Sequence, residues 1–234
     1  MRFQQSANAV QSLDDAFNIG AHVTTIALEV DGVLSDYYET LYEGLLCEDP
    51  SLLSQKSPED FLLDLAEGSF PEDSMLSRAI RIASRVPLFY HSLRPCDRAT
   101  TEQIHRLDDA MGGSDIVGYA IARRPDLIGA GPAIARDARV ATHDWISHLG
   151  LRHFIGILAN LQREQKAQKL HELKVDFHLS AVPSQVELLR GQGIRAYLFD
   201  RSWNRSVDSL WRVDNLEEFV DIALEYLPEE EVAA

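Results

Sequence analysis

Five β-type segments, four of them following one another after residue 115 with a helical segment between each pair, constrain this chain more than any other feature. Residues 22–30 (HVTTIALEV) are aliphatic and β-branched and end at Asp31-Gly32, which reads as a buried strand running into a tight turn. Further strands are expected at Asp115–Ala122, His153–Leu158, Val175–Leu179 and Ile194–Phe199. The helical segments are Thr100–Met111, stopped by Gly112-Gly113; Ile134–Leu149, with Gly150 just past its end; Glu164–Leu173; Pro183–Gln192, ending at Gly193; and Leu216–Tyr226. Strands separated by helices pair in parallel. The expected fold is therefore α/β, a Rossmann-like three-layer sandwich around a five-stranded parallel sheet.

The core of this fold is assigned to residues 21–36 and 91–227. Residues 37–90 interrupt it with a helical period and no clear strand, and read as a small helical cap. Within it, Ser57-Pro58-Glu59-Asp60 has the form of an N-cap with proline at the first helical position. Residues 1–20 form an N-terminal extension in which Phe3, Ala7, Val10, Leu13 and Phe17 recur at helical spacing. That apolar face must pack on the body of the chain or on a partner. Residues 228–234 are an acidic tail, read as solvated.

The formal net charge of −15 sets the partners such a surface tolerates. It repels nucleic acid and anionic membranes, and it repels nucleotides unless a site supplies local positive charge. Cys47 and Cys96 form no CxxC and no disulfide framework, which suits a reducing compartment. The first residues lack an apolar stretch of signal-peptide length, and no run approaches the ~18 apolar residues of a membrane span. A cytoplasmic location is expected.

In a parallel α/β sheet, ligands sit beyond the carboxyl ends of the strands. Those ends read, in order, Glu29-Val30-Asp31-Gly32-Val33-Leu34, Ala122-Arg123-Arg124-Pro125, Lys166 near the start of a helix, and Ser180-Ala181. This series resembles the haloacid dehalogenase superfamily. The stretch Leu198–Arg205 (LFDRSWNR), with Arg212-Val213 and Leu216-Glu217-Glu218 after it, is similar to the tail of bacterial 5′-nucleotidase-like members. The resemblance spans residues 22–227. It implies an Asp nucleophile at position 29, a general acid–base Asp at 31, a phosphate-binding hydroxyl at 122, a Lys at 166 and a metal-binding acidic pair at 180–181.

The chain departs from that pattern at several of these positions. Glu29 stands where the nucleophile would be, one methylene too long. In-line attack needs atoms within about 3–3.5 Å, and a misplacement of ~1 Å costs around a hundredfold. Ala122 has lost the hydroxyl, and Ser180 and Ala181 have lost the carboxylates. Asp31, Arg124 and Lys166 match. Each also has a plainer explanation: Asp31 as the residue capping its own turn, Lys166 as a solvated helix residue, Arg124 as a surface arginine. Glu29 either carries a raised pKa in an acidic hole or pairs with Lys166 as a structural ion pair, the latter being favoured.

Three other patterns carry less. His143, His148 and His153 are not at i, i+4 spacing and do not form a zinc motif. There is no Gly-x-Ser-x-Gly elbow. Gly191-Gln192-Gly193 follows a helix and reads as a C-cap turn, not a phosphate loop.

Two functions compete. The favoured one is a nucleotidase-like protein that has lost efficient phosphohydrolase activity and binds a protein partner or a nucleotide, with no cofactor. Glu29, Asp31 and Lys166 are then a vestigial catalytic set, and Arg124 and Lys166 the phosphate ligands that remain. The alternative is an active Mg²⁺-dependent 5′-nucleotidase working through Glu29 and Asp31, which would then also be the metal ligands. Self-association is compatible with either.

Overall fold

The structure is a computed structural model that describes residues 23–51, 56–68, 78, 82, 93–96, 98–113, 116–122, 132–159 and 163–226. The N-terminal extension, the acidic tail, Arg124, and residues 52–55 and most of 69–92 of the insertion lie outside the described residues.

The sheet has six parallel strands, not five. They are β1 (Thr24–Glu29), β2 (Ile116–Ala122), β3 (Phe154–Ala159), β4 (Phe177–Ser180), β5 (Arg195–Phe199) and β6 (Arg212–Val213), in the order β3-β2-β1-β4-β5-β6. The extra strand is two residues long. Leu198 and Phe199 of β5 pair with Arg212 and Val213, a segment too short to show a strand period in sequence. β1 lies in the middle and is buried along its whole length, Thr24, Thr25 and Glu29 included.

Seven helices are described: α1 (Tyr37–Glu48), α2 (Pro58–Glu67), α3 (Arg98–Gly113), α4 (Pro132–His148), α5 (Arg163–Glu172), α6 (Pro183–Gly191) and α7 (Leu216–Glu225). Two apolar cores lie on opposite faces of the sheet, which makes three layers. Ile26, Leu28 and Ala120 face one core with Ile104 and Leu107 of α3, Ile146 of α4 and Phe219 of α7. Ala27, Ile121 and Leu198 face the other with Ala167 and Leu170 of α5 and Val186 and Leu189 of α6.

Helix ends follow local chemistry with small shifts. α3 runs through Gly112 to Gly113 rather than stopping before them. Beyond α4, Gly150 has φ +83, the left-handed conformation that ends a helix cheaply only at glycine. Ser57 caps α2 by accepting from the Asp60 amide at 3.1 Å, with Pro58 in the first position.

The two insertion helices are tied to the strand-end loops. Glu39 of α1 accepts from Trp203 Nε1 at 3.1 Å and from Arg201. Glu67, the last residue of α2, accepts from the Ser184 amide at 3.1 Å and from its hydroxyl.

Candidate active site

Chain direction across the sheet changes between β1 and β4, so the crevice of the fold lies where those two strands end. Glu29 is the last residue of β1, Ser180 the last of β4, and Lys166 the fourth residue of α5. Three segments far apart in sequence thus deliver one carboxylate, one hydroxyl and one ammonium to the same place.

The carboxylate is fully engaged by the chain itself. Lys166 Nζ donates to Glu29 Oε1 in an ion pair with both side chains buried. Ser180 Oγ donates to Glu29 Oε2 at 2.7 Å and accepts from the Val182 amide at 3.0 Å. The pairing expected of Glu29 with Lys166 is therefore present, and a solvated Lys166 is excluded by its complete burial. Burial alone would raise the Glu29 pKa, but the adjacent Lys166 ammonium and nearby His178 hold it well below the usual carboxylate range. The acidic-hole reading of Glu29 is corrected accordingly.

His178 is a site residue that the sequence did not single out. It sits in β4, two residues before Ser180, and is fully buried. Its Nδ1 lies 3.1 Å from the Ala27 carbonyl, so Nδ1–H donates there. Its Nε2 lies 3.8 Å from Glu29 Oε1, beyond hydrogen-bond length. Burial keeps the imidazole below its ordinary pKa range, although Glu29 pulls the other way. A His inside Phe-His-Leu-Ser carries no sequence signal of its partners.

The loop after β1 is held by its own backbone. The Gly32 amide donates to the Ser35 carbonyl at 2.9 Å, and the Ser35 amide to the Val30 carbonyl at 2.8 Å. Gly32 has φ +80, and a Cβ there would stand 2.9 Å from the Tyr38 ring and 3.3 Å from the Ala181 methyl. Asp31 is buried within this turn. Ala122 and Ala181 are also buried and present only methyl groups.

The tail stretch supports this loop cluster. Asn204, in a short 3₁₀ turn (Ser202–Asn204), donates from Nδ2 to the Ala181 carbonyl at 3.0 Å and the Phe199 carbonyl at 2.9 Å. Its Oδ1 accepts from the Arg201 amide at 3.1 Å and from Arg212 Nη1 at 2.7 Å. Arg212 also bonds Asp200 at 2.8 Å. Every hydrogen-bonding site of this buried amide is used.

The donors at this strand end are few for a divalent metal. Mg²⁺ takes near-octahedral oxygen ligands, usually with one or two carboxylates. Here the Glu29 carboxylate is occupied by Lys166 and Ser180, Asp31 is buried in its turn, and positions 180 and 181 offer a hydroxyl and a methyl. Among the described residues, no group of three or more His, Cys, Asp or Glu is arranged to hold a metal ion. Nor, among them, is any helix long and apolar enough to cross a membrane.

Comparison with known proteins bears on the fold. No family model and no curated protein sequence matches the chain. Solved structures do. The chain is similar to a haloacid dehalogenase-like family hydrolase from Streptococcus pneumoniae, with a TM-score of 0.57, 13% identity, and coverage of 86% of this chain and 98% of that one. It is similar to a HAD-hydrolase from Bacillus subtilis, solved bound to magnesium, with a TM-score of 0.53, 12% identity, and coverage of 87% and 99%. It is also similar to a haloacid dehalogenase-like hydrolase from Bacteroides fragilis, with a TM-score of 0.52, 10% identity, and coverage of 84% and 99%. The chain therefore has the α/β fold of the haloacid dehalogenase-like hydrolases.

Proposed function

We infer that this protein is a nucleotidase-like member of that fold that has lost efficient phosphohydrolase activity and acts by binding a nucleotide or a protein partner. One observation carries the reading: both oxygens of the carboxylate at the nucleophile position are bonded within the protein, to Lys166 and Ser180. An attacking carboxylate must offer a free oxygen to phosphorus, and the lysine beside it must be available to the phosphoryl group. In this chain each neutralises the other. Ala122 and Ala181 add neither hydroxyl nor carboxylate to compensate.

On this reading Glu29 and Lys166 are structural descendants of a catalytic pair, and Asp31 keeps its turn without a proton to transfer. Arg124 is the remaining candidate for phosphate recognition. No metal or cofactor is needed, and the acidic surface suits a cytoplasmic protein that avoids nucleic acid. The test is phosphate release from a panel of nucleoside monophosphates with and without Mg²⁺, alongside melting temperatures with the same nucleotides. The expected result is no turnover, with a raised melting temperature if a nucleotide is the ligand. Substantial hydrolysis that Glu29→Gln abolishes would overturn the reading and make Glu29 a working nucleophile or ligand.

A further inference from the structure

A helical insertion that serves as a lid swings about the two segments joining it to the core, so its packing and its attachments decide whether it moves. In this chain α1 and α2 share the core of the sheet. Leu41 and Leu45 of α1 and Phe61 and Leu65 of α2 belong to one apolar cluster with Ile26 and Leu28 of β1. Tyr38 of α1 is fully buried. Its ring packs against Gly32, where a Cβ would stand only 2.9 Å away, and lies edge-on to Trp203 with ring centroids 5.6 Å apart. One tyrosine thus fills the space between the loop after β1 and the 3₁₀ turn after β5. In the same strand-end cluster, Glu29, Lys166, His178 and Ser180 are each at most 1% exposed.

We infer that α1 and α2 are a locked seal on the strand-end site and not a moving lid. Three fastenings act together. The first is the neck, where the insertion leaves and rejoins the core. There the Asp36 amide donates to the Arg94 carbonyl at 3.0 Å, and the Asp36 carboxylate accepts from the Arg94 amide at 2.8 Å and from its Nε at 3.0 Å. The Cys96 amide adds a bond to the Leu34 carbonyl at 3.1 Å. The second is Glu39 of α1, which holds Arg201 and Trp203 in the segment after β5. The third is Glu67 of α2, which holds the amide and hydroxyl of Ser184 at the start of α6. The last two grip different core segments, so rotation about the neck must break both, together with the packing of Tyr38 on Trp203. It must also uncover the apolar cluster shared with β1. Opening is therefore coupled to unfolding of the core, and the site stays closed for as long as the chain is folded.

Native-state hydrogen exchange on the full-length chain, followed through increasing sub-denaturing urea, tests this. The buried amides of α1, α2 and β1 are expected to share one opening equilibrium and one urea dependence, those of global unfolding. Leu170→Ala removes packing in the other core, on the far face of the sheet. It should accelerate exchange in α1, α2 and β1 equally, by about tenfold or more. Glu39→Ala with Glu67→Ala should do the same, because both bonds are lost only when the whole chain opens. If Leu170→Ala does not fold, the urea dependence of the unmodified protein carries the test. Exchange of α1 and α2 through an opening that neither urea nor Leu170→Ala affects, while β1 follows global unfolding, would overturn the seal. So would a Glu39→Ala, Glu67→Ala variant whose α1 and α2 exchange as in the unmodified protein. An independent opening found together with no phosphate release would overturn the seal and leave the functional reading above standing.

Discussion

Replacing Lys166 with Met leaves the Glu29 carboxylate buried without its countercharge. Both side chains of the pair are essentially inaccessible, so solvent cannot take the place of the ammonium. Removing one partner of such a pair costs about 3–5 kcal/mol. For a chain of this size, 1 kcal/mol shifts the melting temperature by about 2–4 °C, so Lys166→Met should melt about 6–20 °C lower near neutral pH. The loss should shrink on acidification. In the unmodified protein the Glu29 pKa lies below its ordinary 4.5, so the pair contributes fully above pH 4.5 and is lost as pH falls below it. In the variant the carboxylate is relieved by taking up a proton, or His178 by becoming charged, and both become easier as pH falls. Denaturant unfolding at several pH values between 4 and 8, on both proteins, reads the difference directly. The double variant Glu29→Met, Lys166→Met should return to within about 2 kcal/mol of the unmodified protein, since no charge remains to be buried. A Lys166→Met penalty below about 1 kcal/mol, or one that does not narrow as pH falls, would refute the claim that this pair is an internal, mutually neutralising one.

Other consequences can be checked separately. Burial holds the His178 pKa below its ordinary 6.5, so its contribution is present above pH 6.5 and is lost as pH falls below it; urea midpoints should begin to drop there, and His178→Gln should flatten that part of the profile. Asn204→Ala strands the Ala181 and Phe199 carbonyls and should cost roughly 2–4 kcal/mol by chemical denaturation, against almost nothing for a surface Asn. Calorimetry should find Mg²⁺ binding weak or undetectable, and micromolar affinity would contradict the donor set described above. Glu29→Asp alone should restore almost no aryl-phosphate hydrolysis, because groups acting as a unit are strongly non-additive; the combined Glu29→Asp, Ala122→Thr, Ser180→Asp, Ala181→Asp variant should restore measurable Mg²⁺-dependent activity at a cost in stability.

Layer order and most elements are legible in the sequence because the strands are short aliphatic and β-branched runs bounded by turn residues, and the central ones, residues 24–29 and 177–180, are buried along their whole length. The strand-end positions could be located for the same reason: once β1 and β4 are placed, Glu29 and Ser180 must share one end of the sheet. What could not be read is which groups satisfy one another. His178 and Asn204 acquire partners only through strand pairing and loop packing between residues up to 151 apart. β6 escapes because its two residues are made a strand by Leu198 and Phe199 beside them, not by their own composition.

The central position of β1 also bears on how the chain is made. On the side of β4, the Thr25 amide donates to Asp176, which immediately precedes that strand and lies 151 residues later. At about 5–20 residues per second of synthesis, β1 leaves the ribosome some 8–30 s before that edge can be closed. During that interval a strand that the folded protein buries along its whole length, with its terminal Glu29 not yet matched by Lys166, has no native surface on one side. The charge at its end then acts as a solubilising gatekeeper on the nascent chain, a service that ends when the ammonium arrives and both ions leave water together.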